Sequence, residues 1–152
     1  MQVDTAITPN GTPPIFISPA VDGMRVYTSY LLRFSLQYPE DLKIKEYGDG
    51  NTSTITFEDE KGEKGFQIFV VPYDEPTVSE ERFKMDVPSG IMRDPVDVLV
   101  DGVRATAFWS SSSLFGETRE VWFIHNGFLY EVTTFKDLDS WLAGIMSTWR
   151  FL

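Results

Sequence analysis

The alternation of hydrophobic and polar positions is clearest near the end of the chain, in residues 120–133. Two β-rich runs in this stretch are separated by a short segment that contains Asn126 and Gly127. Asn-Gly favours a type I′ turn, because both central residues of that turn need a positive φ. The pattern therefore predicts a β-hairpin with a two-residue loop and a fixed register.

The predicted register assigns a face of the sheet to each side chain of this hairpin. Side chains alternate along a strand, so directly paired residues share a face. One face is apolar and predicts core, whereas the other is mixed and is either covered by a helix or partly wet. The apolar face carries the pairs Val121 with Val132, Phe123 with Tyr130 and His125 with Phe128, and the mixed face carries Trp122, Ile124, Leu129 and Glu131.

Further strands are predicted between residues 24 and 124, where period-2 patterns with one polar face recur. Such patterns are typical of antiparallel sheet. Residues 52–57 and 66–71 predict another hairpin across a charged loop, and Asp101 with Gly102 predicts another tight turn. A single face of one strand is expected to hold Leu32, Phe34, Leu36 and Tyr38.

Two helices are predicted to accompany the sheet. The first covers residues 78–87, with Thr77 and Glu80 as a capping box before it. The second begins at Asp137 or Asp139 as N-cap and packs on the sheet through a stripe at helical spacing. That stripe consists of Leu138, Trp141, Leu142, Ile145 and Trp149.

The first 23 residues predict an arm or linker, and residues 24–152 a single domain. Residues 8–14 combine Thr, Pro, Asn and Gly, a composition that favours extended, solvated backbone. Three apolar residues, Ile15, Phe16 and Ile17, interrupt it. They are interpreted either as a short edge strand folded back on the domain or as a docking peptide for a partner.

Composition narrows the function classes. The 152 residues include no cysteine, which excludes a disulfide scaffold, thiolate metal sites and cysteine nucleophiles. The formal net charge of −10 disfavours nucleic acid and anionic lipid as partners. No window has the roughly 20 apolar residues that a membrane span needs, so this segment is not expected to insert into a bilayer. The start lacks the features of a signal peptide, which leaves a cytoplasmic protein or one whose export segment was removed.

Residues with catalytic chemistry form no recognisable constellation. His125 is the single histidine and has no orienting carboxylate beside it in sequence. The serine run at residues 110–113 lacks the nucleophile elbow and is typical of a hairpin tip. Leu114 and Phe115 follow it, and they either return into the core or contact a partner.

Acidic residues supply the alternative hypotheses. Asp49 and Asn51 resemble half of a calcium loop, and Asp94 and Asp97 follow each other at turn-like spacing. Turn formation explains all four residues equally well. A divalent-ion or small-ligand site near them is the second hypothesis. A carboxylate hydrolase is the third, and its signature would be two carboxyl groups that face each other in one cleft. No cofactor is predicted.

Three segments resemble PsbP-like domains. Residues 34–39 (FSLQYP) are similar to the opening strand of that family, and the hairpin at 120–133 with the ending at 147–151 (STWRF) is similar to its C-terminal part. The resemblance covers residues 24–152. Leu42 is a departure, because a tryptophan often follows the Tyr-Pro by a few residues in the family. No functional residue of the family can be matched to a position here.

The resemblance implies an α+β fold, with an α/β/α sandwich in which helices flank a central antiparallel sheet. The best-known members are non-enzymatic lumenal subunits of photosystem II that help to retain calcium and chloride, and a related fold binds the small GTPase Ran. Many bacterial members are extracytoplasmic lipoproteins or tethered domains. The first hypothesis is therefore a non-catalytic accessory or binding domain, bacterial and extracytoplasmic, that acts through contacts with an unidentified protein. Its oligomeric state is left open.

Overall fold

A computed structural model of the protein describes residues 19–48 and 51–152. Within these ranges the chain forms ten β-strands and two short α-helices. The first part contains β1 (Met24–Ser29), β2 (Phe34–Pro39), β3 (Lys43–Gly48), β4 (Ser53–Glu58), β5 (Gly65–Pro72) and α1 (Glu80–Asp86). The second contains β6 (Arg93–Val100), β7 (Val103–Ser112), β8 (Gly116–His125), β9 (Phe128–Phe135), a 3₁₀ turn (Lys136–Leu138), α2 (Asp139–Met146) and β10 (Arg150–Phe151).

The strands form two antiparallel sheets. The large sheet has seven strands in the order β3-β4-β5-β9-β8-β7-β6, and the small sheet has three in the order β1-β2-β10. Hairpins connect most neighbouring strands of the large sheet, which is why antiparallel pairing dominates. No helix in residues 19–48 and 51–152 is long and apolar enough to cross a membrane.

The main core lies between the small sheet with α2 and one face of the large sheet. Trp149, fully buried just before β10, is at its centre. Its ring stacks on Phe34 of β2 with ring centroids 4.2 Å apart, and it meets Phe123 edge-on at 5.0 Å. The hydroxyl of Tyr130 donates to the carbonyl of Leu32 at 2.7 Å, so this buried polar group is paired.

Helix α1 lies against the other face of the large sheet. Phe83 places its ring 5.9 Å from Phe108 and 5.6 Å from Trp122. Val71, Val87 and Leu129 complete this smaller apolar cluster. The two helices are therefore on opposite faces of the large sheet.

The predicted hairpins are confirmed in register and in turn geometry. Asn126 and Gly127 have φ values of 51° and 82°, as a type I′ turn requires. Asp101 and Gly102 show the same pattern, with φ values of 45° and 78°. The pairs of β8 with β9 are those expected, including Phe123 opposite Tyr130, and the faces divide as predicted. Pairing of β4 with β5 is confirmed as well.

Both helix boundaries differ from the prediction, the first because of Tyr73. The N-cap of α1 is Ser79, whose Oγ accepts from the backbone N–H of Arg82 at 3.0 Å, and Thr77 is not the cap. The Tyr73 hydroxyl donates to the carbonyl of Thr77 and accepts from the N–H of Ser79, both at 2.9 Å. These bonds hold residues 77–79 as a loop, so the helix begins later than the capping-box pattern suggested.

Helix α2 begins after a 3₁₀ turn with Leu138 as N-cap, so neither Asp137 nor Asp139 caps it. It ends at Met146, and Trp149 is therefore outside the predicted helical stripe. Thr148 explains the end of the helix, because its Oγ1 donates to the carbonyl of Ile145 at 2.6 Å. The same oxygen accepts from the backbone N–H of Gln37 at 2.8 Å and ties the chain to β2.

The α+β class is confirmed, but the predicted sandwich is incomplete as a description. The small sheet, which was not predicted, shares one face of the large sheet with α2. The segment before β1 also contacts β2. Gln37 accepts from the N–H of Val21 at 3.1 Å and donates to the carbonyl of Pro19 at 3.2 Å, although both residues belong to the predicted arm.

Replacing the central aromatic ring tests this description of the core. Trp149→Ala is expected to lower the free energy of unfolding by about 3–5 kcal/mol, because the cavity cannot be filled by its stacked neighbours. Urea denaturation followed by circular dichroism measures the loss. Leu99→Ala is the control, since Leu99 is 74% exposed, and it should stay within about 0.5 kcal/mol of the parent protein. Equal losses for the two variants would contradict the proposed core.

Candidate functional site

A cleft of about 700 Å³ opens on the α1 face of the large sheet. Its walls are the end of α1 with residues 87–89 and the β7–β8 hairpin tip at residues 110–115. Side chains of β5, β8 and β9 form the floor. The floor is polar at its centre and contains Gln67, Ser110, Thr118, Glu120, Glu131 and Thr133.

The strand register brings two glutamates onto this floor. Glu120 pairs with Thr133, and Trp122 pairs with Glu131, so all four side chains project to one face. Each glutamate is only 5% exposed. Glu120 Oε1 accepts from the hydroxyl of Thr133 at 2.7 Å and from the indole N–H of Trp122 at 3.1 Å. The floor thus holds two nearly buried carboxyl groups in diagonal positions on neighbouring strands.

Asp86 connects the floor to α1. Its carboxylate accepts two hydrogen bonds from the guanidinium of Arg82, at 2.8 and 2.9 Å. Burial, followed by the hydrogen bond and negative charge of Asp86, raises the pKa of Glu131 to about 10. Glu131 therefore keeps a proton at neutral pH, and a protonated carboxyl can donate a hydrogen bond to Asp86. Helix α1 is held to the sheet by this chain of polar contacts.

The pKa of Glu120 is set by two opposing causes. Burial raises its pKa, because the charged form loses hydration. The hydrogen bonds from Thr133, Trp122 and Thr118 act in the opposite direction, since they stabilise the carboxylate. The two floor glutamates therefore differ: Glu120 receives donors from its neighbours, whereas Glu131 faces a second carboxyl group.

Two polar atoms of the floor lack partners within the described ranges. Ser110 Oγ makes no hydrogen bond although the residue is only 2% exposed. Glu131 Oε2 accepts none from any residue in those ranges. Buried polar groups are normally paired, because an unmade hydrogen bond costs about 1–3 kcal/mol. Both residues line the same cleft, but they are not neighbours: β8 separates their strands, and Ser110 is level with Thr118 whereas Glu131 is level with Trp122.

The mouth of the cleft is apolar. Met85, Leu114 and Phe115 are 61%, 85% and 51% exposed, and all three line the cleft. The hairpin tip that carries two of them is ordered by local contacts, because the N–H of Phe115 donates to Ser112 Oγ at 2.9 Å and Gly116 has a φ of 69°. We call these three side chains the apolar rim.

The acidic candidates from the sequence are not brought together. Asp94 and Asp97 are exposed on β6, and Asn51 is exposed in the β3–β4 turn. Strands β6 and β3 form opposite edges of the large sheet, six strand spacings or about 28 Å apart. Asp94 occupies a bulge with a φ of 50°, which matches a turn-forming role. Asp49 lies outside the described residues, as do Ile15, Phe16 and Ile17.

No group of three or more metal-ligating side chains occurs in the part of the chain that the structure describes. His125 is half-buried and packs its ring 4.2 Å from that of Phe151, on the other face from the cleft. The serine run is divided: Ser110 is on the floor, whereas Ser112 stabilises the hairpin tip.

Sequence patterns single out Leu114 and Phe115, which line this cleft, but miss its centre. They predict that these two residues either return into the core or contact a partner, and they place Glu131 on the mixed face of the terminal hairpin. They do not single out either glutamate. The available signal was a carboxylate on the same face as large apolar residues in two paired strands, which implies burial of a charged group.

No protein-family model matches this chain, and no curated protein matches it in sequence. The solution structure of cyanobacterial PsbP (CyanoP) from Synechocystis sp. PCC 6803 is similar, with a TM-score of 0.63 over 87% of this chain and 94% of that one. The fold is PsbP-like. Sequence identity is 10%, so this likeness establishes the architecture alone and confirms the resemblance found in the sequence.

The pKa of Glu131 gives the stability a predictable pH dependence. In the unfolded chain this carboxyl loses its proton near its ordinary pKa of 4.5, but in the folded protein it keeps the proton to about pH 10. Between these values the folded state binds more protons, so its contribution is full below pH 4.5 and is lost as pH rises toward 10. We expect Glu131→Gln to remove a fall of up to about 1.4 kcal/mol per pH unit from the unfolding free energy.

Urea denaturation between pH 5 and pH 9 measures this slope. The matched control is Glu40→Gln, which changes an exposed carboxyl after β2 in the same way and should leave the slope unchanged. If the unfolding free energy of Glu131→Gln falls with pH as steeply as that of the parent protein, Glu131 is ionised in the folded state. The proposed hydrogen bond from its retained proton to Asp86 would then be wrong.

Proposed function

We propose that this chain is a non-catalytic accessory or binding domain that acts through protein contacts made at the apolar rim of the cleft. The observation that carries the proposal is the exposure of Leu114 and Phe115 on an ordered hairpin tip. Apolar side chains that cluster at the edge of a polar cleft mark interaction sites more often than isolated ones do. A partner would bury them together with Met85 of α1.

The position of the rim supports a contact role over a folding role. Neither Leu114 nor Phe115 belongs to either apolar cluster of the interior. Phe115 contacts the ring of Phe135 at 6.1 Å and borders a second cavity of about 220 Å³. Two cavities therefore adjoin one exposed aromatic ring, a geometry suited to receiving side chains of a partner.

The charge of the chain restricts the partner. A net charge of −10 repels phosphate backbones and anionic lipid surfaces, so nucleic acid and direct membrane insertion are not part of the proposal. A protein with basic side chains next to apolar ones would complement both the rim and the carboxyl groups behind it.

The setting we propose is extracytoplasmic and bacterial, with residues 1–23 as a tether whose end is held on β2 through Pro19 and Val21, and residues 24–152 as the domain. The tether is supported by the Pro- and Thr-rich composition of residues 8–14 and by the PsbP-like fold that follows. The residues encoded before Met1 test this point, because a lipobox or membrane span there would establish the anchor and a native start codon would refute it.

A carboxylate hydrolase is the second candidate, since Glu120 and Glu131 do share one cleft. Such enzymes pair a proton-donating acid with an exposed carboxylate. Here burial raises the pKa of both groups, and the proton on Glu131 faces Asp86. Trp122 and Thr133 occupy Glu120 Oε1. These contacts favour a binding role over catalysis. The hydrolase would be preferred only if the protein had hydrolase activity and Glu120→Gln abolished it.

Site-specific photocrosslinking tests the contact role of the rim. A photoreactive amino acid at position 114 is expected to capture a discrete partner in cells of the source organism, because Leu114 is the most exposed large apolar side chain of the rim. Position 99 is the control: Leu99 is 74% exposed and pairs with Arg104, about 27 Å along β7 from the tip.

Identification of the captured protein by mass spectrometry completes this test. A species captured at 114 and not at 99 supports the proposal, and Phe115→Ser should abolish its capture. Identical products at the two positions, or none at 114, would contradict a docking role for the rim.

A further inference from the structure

We infer that Asn126 is a site of spontaneous covalent modification, at which its side-chain amide is converted to aspartate and to isoaspartate. The inference goes beyond the proposed function and does not depend on it. Asn126 and Gly127 are both exposed at the tip of the β8–β9 hairpin, so solvent reaches the dipeptide. Asparagine followed by glycine is especially labile, because glycine carries no Cβ that would hinder attack by its own backbone nitrogen.

The reaction needs no reagent other than water. The backbone nitrogen of Gly127 loses its proton and attacks Cγ of Asn126, so that a C–N bond forms while the side-chain nitrogen leaves as ammonia. Water then opens the five-membered imide at one of its two carbonyl carbons. Opening at the side-chain carbonyl gives aspartate, and opening at the main-chain carbonyl routes the backbone through the side chain and gives isoaspartate. One water is consumed, one ammonia is released, and nothing is oxidised or reduced.

The type I′ turn holds the two reacting groups apart in the folded protein. Asn126 and Gly127 have φ values of 51° and 82°, and the first central residue of such a turn has a ψ of about +30°. At that ψ the Gly127 nitrogen lies nearly opposite the Asn126 Cβ across the Cα–C bond. Attack requires the reacting atoms to be aligned and about 3–3.5 Å apart, so the turn must open first. The rate of modification therefore follows local opening of the hairpin.

Neither reacting group is restrained by a hydrogen bond of its own. In the part of the chain that the structure describes, the Asn126 side chain makes no hydrogen bond and the Gly127 N–H donates none. Only the Gly127 carbonyl is held, because it accepts from the N–H of Tyr73 at 2.8 Å. The other turn of this type is better protected, since Asp101 Oδ2 accepts from the N–H of Phe151 at 2.9 Å. Asn126 is therefore the more reactive of the two positions.

Isoaspartate at this position disturbs the pairing of β8 with β9. It adds one methylene group to the backbone of the turn, which no longer matches a two-residue loop. The Gly127 carbonyl is displaced as well, and with it the bond to Tyr73, whose hydroxyl holds the loop before α1. Aspartate keeps the turn, because Asp-Gly favours the same geometry as Asn-Gly. The isoaspartate form therefore loses stability and the aspartate form does not.

Incubation of the full chain at pH 8, either folded or denatured in urea, tests the inference. Peptide mass spectrometry locates the modified residue, and labelling by an isoaspartate-specific methyltransferase measures the isoaspartate. Asn126→Gly removes the reactive amide and keeps a residue that tolerates the positive φ. Asp101→Asn is the matched control, because it introduces the same dipeptide into the other turn, where the side-chain oxygen can still accept from Phe151.

In urea, position 126 of the parent protein and position 101 of Asp101→Asn are expected to react at similar rates. Folding should slow the reaction at position 126 by about ten- to a hundredfold, and more than that at position 101. Asn126→Gly should give no product in the turn. The modified fraction, isolated by its additional negative charge, should unfold at a lower urea concentration than the parent protein, whereas Asn126→Asp should unfold at the parent concentration.

A folded rate at position 126 equal to the rate in urea would overturn the inference, because the turn would then not control the reaction. Slowing beyond about a thousandfold would overturn it as well, since only global unfolding would expose the site. A folded rate at position 101 of Asp101→Asn that equals the rate at 126 would contradict the protection assigned to Phe151. A modified fraction as stable as Asn126→Asp would contradict the effect on strand pairing.

Discussion

The register of strands β8 and β9 is the constraint on which the rest of this structure depends. The turn at Asn126 and Gly127 fixes that register, and a shift of one residue would exchange the two faces. In the observed register, large apolar side chains meet the small sheet and α2, while Glu120 and Glu131 lie under α1. Core and cleft are thus two consequences of one pairing.

Burial of carboxyl groups in the cleft lowers the stability of the fold, and the apolar packing of the main core offsets this cost. Two nearly buried carboxyl groups on one face are unfavourable unless they are protonated or paired. Donors from Thr133 and Trp122 stabilise Glu120, and a retained proton stabilises Glu131 beside Asp86. Carboxyl groups whose pKa values are perturbed by burial and by a specific charged partner are more frequent at functional sites than elsewhere. That is the physical reason for proposing a functional site in this cleft and not at the exposed acidic loops.

Local patterns in the sequence predicted much of the fold. Two-residue turns and period-2 alternation predicted the hairpins and their faces. Turn geometry and side-chain alternation depend only on residues that are close together in the sequence. The small sheet was missed since β10 has two residues, too few to show a period. The caps of both helices were wrong because Tyr73 and Thr148 control them through contacts that no short motif encodes. The cleft was missed for a related reason: it forms where α1 meets a hairpin tip about 25 residues later in the chain.

The protonation state of Glu131 in the folded protein is the most direct test of this account, because it depends on register, burial and the approach of Asp86 together. The ¹³C chemical shift of its side-chain carboxyl, followed by NMR as the pH is raised, reports that state. The account predicts a protonated carboxyl with no titration from about pH 4 to about pH 8. A titration with a midpoint near 4.5, the ordinary value for a glutamate, would contradict it.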